Sequence, residues 1–147
     1  MKTAITILIC RLLRFAGSLL GRGSSLPGEI ALKLCPDILS RVRLPRTVIA
    51  VTGSNGKTST VEMIAHILTS AGKSFAYNRE GSNQIEGVTA LILCSCTLSG
   101  RFRKDILLIE SDERYAKHTF KYVKPTHYVI TNLYRDQLTR NGHPEWV

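Results

Sequence analysis

Two hydrophobic patterns alternate along residues 47–131. Short apolar runs bounded by polar residues are typical of strands buried in a parallel sheet. They lie at 47–51, 74–77, 105–110 and 127–131. Between them, apolar residues recur at helical spacing. These helical segments are 58–71, 84–98 and 113–123. The strict alternation of strand and helix predicts an α/β fold, a parallel sheet with helices on both faces.

Residues 1–46 follow a different pattern and are predicted to form an N-terminal amphipathic helical segment. Apolar residues recur at i, i+3, i+4 spacing through residues 3–20. They are Ile5, Leu8, Ile9, Leu12, Leu13, Ala16, Leu19 and Leu20. Arg11 and Arg14 take another face of this helix, and a second short helix is predicted from Pro27 to about Leu34. Two interpretations of the first helix stay open: it packs on the protein's own core, or it lies on a membrane surface against anionic lipid.

The strongest chemical signal is the turn at residues 52–58, which reads Thr-Gly-Ser-Asn-Gly-Lys-Thr between the first predicted strand and helix. Its two glycines let the backbone approach a phosphate, and N–H groups at a helix start attract anions. Lys57 is predicted to act at the terminal phosphates and Thr58 to hold Mg²⁺. The spacing is a short variant of the usual G-x-x-x-x-G-K-[ST] loop. The predicted nucleotide-binding residues here are Gly53, Ser54, Asn55, Gly56, Lys57, Thr58 and Ser59.

Acidic residues follow the third and fourth predicted strands, at the sheet edge where ligands bind in such folds. Glu110 closes the third strand and is predicted to be a magnesium ligand together with Thr58. Asp112 and Glu113 belong to the same acidic cluster, and in the alternative interpretation one of them caps the next helix. Asp136 follows the fourth strand, where it either holds the metal or stabilises a turn.

Charge and cysteine content narrow the class of protein. The formal net charge is +9, of which +6 lies in residues 1–46 and +3 in residues 47–147. This distribution argues against a nucleic-acid surface on the core and favours an anionic neighbour of the N-terminal segment, such as lipid headgroups. Four cysteines without a C-x-x-C pair indicate free thiols. The chain ends at Val147 soon after a strand and a turn, so residues 47–147 are expected to be a truncated domain.

The residues at the strand ends resemble motifs of the Mur ligase superfamily. Residues 52–58 look like its T-G-[ST]-N-G-K-T loop, and Thr131-Asn132 followed by Asp136 looks like its T-N-x-x-x-D-H-L-D segment. Gln137 and Thr139 depart from that second motif. The polar stretches 78–83, 110–113 and 134–138, with the N-terminal runs 20–28 and 30–33, look like the MurT branch.

The resemblance implies a Mur ligase central domain at 47–147, with ATP and Mg²⁺ as cofactors. It implies an ATP-dependent carbon–nitrogen ligase subunit that activates the D-glutamate α-carboxylate of lipid II for amidation, with ammonia supplied by a GatD-like glutamine amidotransferase. By the same resemblance, Asn132 binds nucleotide and Asn83 is a catalytic residue near the γ-phosphate or the acceptor carboxylate. The family's zinc-ribbon cysteines would lie beyond Val147. The expected location is the cytoplasm, at the inner face of the cell membrane.

Two alternatives stay open. One is another Mur-type ligase that adds an amino acid to a cell-wall precursor or to folate, which would carry a carbamylated lysine downstream. The other is a nucleotide-binding module without ligation. Taken alone, the chain is expected to catalyse nothing.

Overall fold

A computed structural model describes residues 1–19, 25–78, 84–112 and 116–132 of the chain. The helices are α1 (Lys2–Leu19), α2 (Leu26–Leu34), α3 (Lys57–Ser70), α4 (Ile85–Ser95) and α5 (Ala116–Phe120), and a 3₁₀ helix spans Ile38–Arg41. The strands are β1 (Thr47–Thr52), β2 (Phe75–Tyr77), β3 (Ile106–Glu110) and β4 (His127–Ile130). The predicted alternation of strands and helices is confirmed, with element ends shifted by a few residues.

The four strands form one parallel sheet in the order β2-β3-β1-β4. Strand β1 is central and pairs with both β3 and β4. All four strands therefore end at the same edge of the sheet. The predicted α/β class with a parallel sheet is confirmed.

The central strands bury side chains on both faces of the sheet, as their continuous apolar runs predict. On one face, Ala50 and Ile109 join a core with α4 and the N-terminal helices. On the other face, Val51 and Leu108 pack with Val61 of α3. Successive side chains of a strand point to opposite faces, so each of these strands supplies both cores. The result fixes α3, and with it the turn that precedes α3, against one face of the sheet.

The N-terminal helices share the larger core with the sheet. Ile7 and Cys10 of α1 and Ala31 of α2 are buried in it. Helix α2 crosses α4 closely, since a Cβ on Gly28 would lie 1.8 Å from the carbonyl oxygen of Glu86. The division of the chain into a segment 1–46 and a domain 47–147 stays a prediction. None of the helices in the described parts of the chain combines the length and the hydrophobicity that a bilayer span requires.

Helix α1 packs through a face that the hydrophobic pattern does not predict. Its buried residues are Thr6, Ile7 and Cys10, whereas Leu8 and Leu12 of the apolar stripe are exposed. Two polar groups on the packed face find partners. The Thr6 hydroxyl donates to the Lys2 carbonyl at 3.0 Å, and the Arg11 guanidinium donates to the Cys96 carbonyl at the end of α4. Arg11, which the pattern places on a different face from the apolar stripe, thus lies on the packed side of α1.

The cysteines are free, as predicted. Interaction of the Cys10 thiol of α1 with the Cys94 thiol of α4 raises the pKa of Cys10 and lowers the pKa of Cys94 to about 7. Helix α4 ends at Ser95 rather than at the predicted Leu98, because Cys96 leaves the helix to bridge with Phe102.

Candidate nucleotide and metal site

The predicted phosphate loop lies where β1 ends and α3 begins. Strand β1 ends at Thr52, and α3 begins at Lys57. Gly53 and Gly56 have φ of 132° and 78°, a region that favours glycine. Gly56 precedes the first helical residue, so its conformation turns the chain directly into α3. The N–H groups of the first turn of α3 thus open onto the loop, as an anion site requires.

Gly53 is also required by the close approach of a neighbouring segment. A Cβ at this position would lie 2.2 Å from the Thr131 hydroxyl oxygen and 2.7 Å from the Asn132 carbonyl oxygen. Both residues directly follow strand β4. The loop is therefore packed against the end of β4, and it accepts no side chain at Gly53.

Asn132 holds the middle of the loop through its backbone. Its side-chain oxygen accepts the Asn55 N–H at 3.0 Å, and its side-chain N–H₂ donates to the Asn55 carbonyl at 3.0 Å. The Ser54 N–H donates to the Asn132 carbonyl at 3.0 Å. Thr131 adds a hydrogen bond from its hydroxyl to the Asn55 carbonyl at 2.7 Å. These contacts hold the loop backbone against the end of β4.

Lys57 lies over the loop. Its ammonium donates to the Gly53 carbonyl and, at 3.3 Å, to the Ser54 carbonyl. The charge is thus held at the mouth of the loop. A phosphate oxygen entering there can replace these neutral acceptors with a charged one, which strengthens the hydrogen bond.

Thr58 and Glu110 meet at the carboxyl edge of the sheet. The Thr58 hydroxyl donates to the Glu110 carboxylate at 3.0 Å, and Glu110 is 3% exposed. The Glu110 backbone N–H donates to the Asn78 side-chain oxygen at 3.0 Å, which ties the end of β3 to the residue after β2. A carboxylate removed from water is stabilised by a nearby cation. The pair places two hard oxygen donors beside the phosphate loop.

These residues surround one open cleft at the carboxyl edge of the sheet. It has a volume of about 300 Å³. Its lining residues are Ser54, Asn55, Gly56, Lys57, Thr58, Ser59 and Glu110. A cleft with backbone N–H groups, one ammonium and one buried carboxylate is suited to a phosphate chain with a divalent cation.

A comparison with known families decides what kind of domain carries this cleft. The family model of the Mur ligase middle domain matches residues 51–145. This chain belongs to the Mur ligase family.

The Mur ligase assignment agrees with individual relatives. The chain is 37% identical over 142 residues to the lipid II isoglutaminyl synthase (glutamine-hydrolyzing) subunit MurT of Streptococcus pneumoniae, covering 97% of this chain and 31% of that protein. It is 34% identical to the MurT subunit of Staphylococcus aureus strain COL, covering 97% of this chain and 32% of that protein. The chain thus spans about a third of the length of these relatives.

A solved Mur ligase shares the fold. A crystal structure of MurF from Acinetobacter baumannii superimposes with a TM-score of 0.58 and 25% identity, covering 80% of this chain and 25% of that chain. Mur ligases as a family depend on ATP and magnesium. The cleft of this Mur ligase chain fits both, because the N–H groups and the ammonium of its loop suit phosphates and its buried Glu110 carboxylate suits a cation.

The metal would take few protein ligands. Within the described ranges, no group of three or more His, Cys, Asp or Glu side chains could hold a metal ion. Mg²⁺ commonly keeps several waters and binds one or two protein carboxylates plus substrate phosphates. Thr58 and Glu110 fit that coordination.

The structure brings together most of the predicted site residues. Gly53 to Ser59, Glu110 and Asn132 meet around one cleft or its supporting contacts. Asn83, Asp136 and the alternative cap Glu113 lie outside the described residues. The individual roles assigned to these residues stay predictions.

Two supporting residues had no role in the sequence-based prediction. Asn78 accepts the Glu110 N–H, and Thr131 contacts the loop through its hydroxyl. Both directly follow a strand, at the edge where parallel strands place ligand sites. Their position directly after a strand is the sequence signal that identifies them.

Proposed function

We propose that this chain is the nucleotide-binding part of an ATP-dependent ligase subunit acting in peptidoglycan synthesis. The subunit activates the α-carboxylate of D-glutamate in lipid II for amidation to D-isoglutamine. The observation that carries the proposal is the Thr58–Glu110 pair beside the phosphate loop. The substrate is supported by 34–37% identity to proteins named lipid II isoglutaminyl synthase subunits.

The chemistry has two steps. A carboxylate oxygen of the acceptor attacks the γ-phosphorus of ATP, ADP leaves, and an acyl phosphate forms. Ammonia then attacks the acyl carbon, inorganic phosphate leaves, and the nitrogen loses a proton to give the amide. Phosphoryl transfer depends on positioning and on charge neutralisation, which suits a rigid loop with a lysine.

The residues of the cleft have separate roles in this scheme. The loop N–H groups and Lys57 bind and orient the phosphate chain. Thr58 and Glu110 would hold magnesium, which when bound neutralises phosphate charge. Asn83 is proposed to lie near the γ-phosphate or the acceptor carboxylate, and Asp136 near the metal or its water shell. Asn132 acts through the loop, whose backbone it holds.

The ammonia is proposed to come from a partner. The relatives are named as subunits of glutamine-hydrolyzing synthases. A GatD-like glutamine amidotransferase subunit would hydrolyse glutamine and deliver ammonia to the acyl phosphate. Because the acceptor is lipid-linked, we place the reaction in the cytoplasm at the inner face of the cell membrane.

The test is an amidation assay with the complete gene product, co-expressed with a neighbouring glutamine amidotransferase gene. We expect glutamine- and ATP-dependent conversion of lipid II acid to amide, followed by mass spectrometry. Lys57→Ala should reduce turnover by about a hundredfold or more, because it removes a charge that stabilises the transition state. Thr58→Ser keeps the hydroxyl and serves as the matched control. Unchanged turnover in Lys57→Ala, or no amide in the wild type, would contradict the proposal.

A second candidate is an amino-acid-adding Mur ligase. The chain is 34% identical over 108 residues to a UDP-N-acetylmuramate–L-alanine ligase of Bifidobacterium longum, covering 72% of this chain and 19% of that protein. The same assay separates the two, because this candidate would consume ATP with an amino acid rather than with ammonia.

A further inference from the structure

Helix α1 exposes a continuous apolar stripe. Its members follow one another at alternating intervals of three and four residues, which places them on one side of a helix. They are Ile5, Leu8, Leu12, Phe15 and Leu19, with exposed fractions between 48% and 73%. Large apolar side chains contiguous on a surface indicate an interaction site.

The stripe is distinct from the face that holds α1 to the protein. Ile7 and Cys10 are fully buried against the core, and Arg11 donates to the Cys96 carbonyl. The helix is therefore already fixed on the protein through one side. Among the residues that the structure describes, no side chain of the stripe belongs to that core.

The surroundings of α1 are strongly basic. Residues 1–28 contain four Lys or Arg and no Asp or Glu. At the N-terminal end of α1, the Thr3 methyl lies near Gly100, whose carbonyl accepts the Arg43 N–H at 2.8 Å. A cavity of about 1030 Å³ begins beside this contact. Five of its lining residues are basic and one is acidic, and we call it the basic groove. The basic ones are Arg43, Arg46, Arg101, Arg103 and Lys104.

We propose that the α1 stripe forms a docking surface for an anionic lipid bilayer, and that the basic groove near the N-terminal end of α1 adds electrostatic attraction. A one-sided apolar helix on a folded protein lies in the plane of the membrane interface, with its apolar side chains among the acyl chains. Nearby Lys and Arg side chains are attracted to anionic headgroups. A second copy of the chain fits less well, because two copies meeting through α1 would bring together two N-terminal segments that each carry a formal charge of +6 over residues 1–46.

The choice of a membrane rests in part on the proposed function, because a lipid-linked acceptor would then lie in the same bilayer. The surface itself belongs to a different part of the chain from the nucleotide site. The family model matches from residue 51, and α1 precedes that residue. The docking surface would therefore bring a shared catalytic domain to a membrane-bound substrate.

The experiment is vesicle flotation of the complete gene product without nucleotide or acceptor. We expect binding to vesicles of phosphatidylcholine with phosphatidylglycerol, weaker binding to phosphatidylcholine alone, and loss of the difference at high salt. Leu8→Gln with Leu12→Gln should lower binding about tenfold or more, because it removes inserted apolar area. Arg101→Gln with Lys104→Gln should reduce only the dependence on phosphatidylglycerol.

The matched control is Met63→Gln with Ile67→Gln on α3. These side chains are apolar and at least as exposed as Leu8 and Leu12, but α3 lies on the other face of the sheet. The control variant should bind as the wild type does. As an independent readout, Phe15→Trp should show a blue shift of the new indole emission when anionic vesicles are added.

Several results would overturn the proposal. They are a wild type that does not float with anionic vesicles, stripe variants that bind like the wild type, and a Phe15→Trp emission unchanged by vesicles. Stronger binding to RNA than to vesicles would point instead to a nucleic-acid surface. Failure of the ligase proposal is distinguishable: vesicle binding would persist, while lipid II amidation would be absent.

Discussion

Gly53 brings the phosphate loop into close contact with the end of β4. Its φ is 132°, and the Thr131 hydroxyl occupies the space where a Cβ would lie. Gly56 and Gly72 also have positive φ, but a Cβ at either position would meet nothing within 4 Å. The three glycines therefore separate the cost of backbone strain from the cost of a steric clash.

We expect Gly53→Ala to destabilise the protein more than Gly72→Ala does. The strained φ alone costs on the order of 1–3 kcal/mol. The clash with Thr131 adds to it and should displace the loop, so that binding of a fluorescent ATP analogue is also lost. Chemical denaturation and nucleotide titration measure the two effects. Equal loss of stability in both variants, with nucleotide binding intact in Gly53→Ala, would contradict this account.

Part of the site is predictable from individual residues of the sequence. The spacing of Gly53, Gly56, Lys57 and Thr58 was sufficient to place the loop, and the position of Glu110 at a strand end was sufficient to place it beside Thr58. The contact of Asn132 with the Asn55 backbone was not predictable. It depends on how far the end of β4 extends past β1, which the residue pattern does not encode.

Helix α1 is the element for which hydrophobicity and burial disagree. The apolar periodicity places the stripe with Leu8 and Leu12, yet Thr6, Ile7 and Cys10 are the buried residues. Small or medium side chains allow close packing, and the polar ones find backbone acceptors. Hydrophobic periodicity has the same form in an apolar face that packs on the core and in one that faces a second surface.

The two sides of α1 can be compared by truncating one side chain on each. Ile7→Ala should lower the free energy of unfolding by about 2–5 kcal/mol, as expected for a fully buried aliphatic residue. Leu8→Ala should change it by less than about 0.5 kcal/mol, because Leu8 is exposed. Urea denaturation of the two variants gives both values. A larger loss in Leu8→Ala would show that the helix packs through its stripe.

The junction between α2 and the 3₁₀ helix contains one hydrogen-bonded carboxylate, that of Asp37. Asp37 accepts hydrogen bonds from Arg41 Nε at 2.8 Å and from the Cys35 thiol at 3.2 Å. These bonds lower the pKa of Asp37 from 3.8 to about 2, and the bond from Arg41 makes the largest contribution. Since protons bind more tightly in the unfolded state, the contribution to stability is present above about pH 4 and is lost as the pH falls toward about 2.

Asp37→Asn should therefore remove part of the acid dependence of stability. We expect the wild type to lose more stability than the variant as the pH falls from about 5 to about 2. The effect should be small and weakened by salt, because the pair is exposed. Urea midpoints across this range test it, with Asp105→Asn as a control for loss of an exposed carboxylate. Parallel pH profiles for wild type and Asp37→Asn would refute this role.

On the scale of the whole molecule, the sheet and its order of elements follow from the sequence because parallel strands buried on both faces have a distinctive apolar pattern. The order β2-β3-β1-β4 and the sharing of one core by the N-terminal helices and the sheet do not follow from it. Strand order and helix docking are set by contacts between distant residues. Gly28 illustrates this, since its role depends on the approach of Glu86 in another helix.

The hydrogen bonds between the Asn132 side chain and the Asn55 backbone have a consequence for biosynthesis. These residues are 77 positions apart, and translation delivers the asparagine amide long after Lys57 has left the ribosome. Until then the nascent chain has the glycine turn without the group that fixes its shape. The phosphate loop can therefore take its final shape only after Asn132 has left the ribosome.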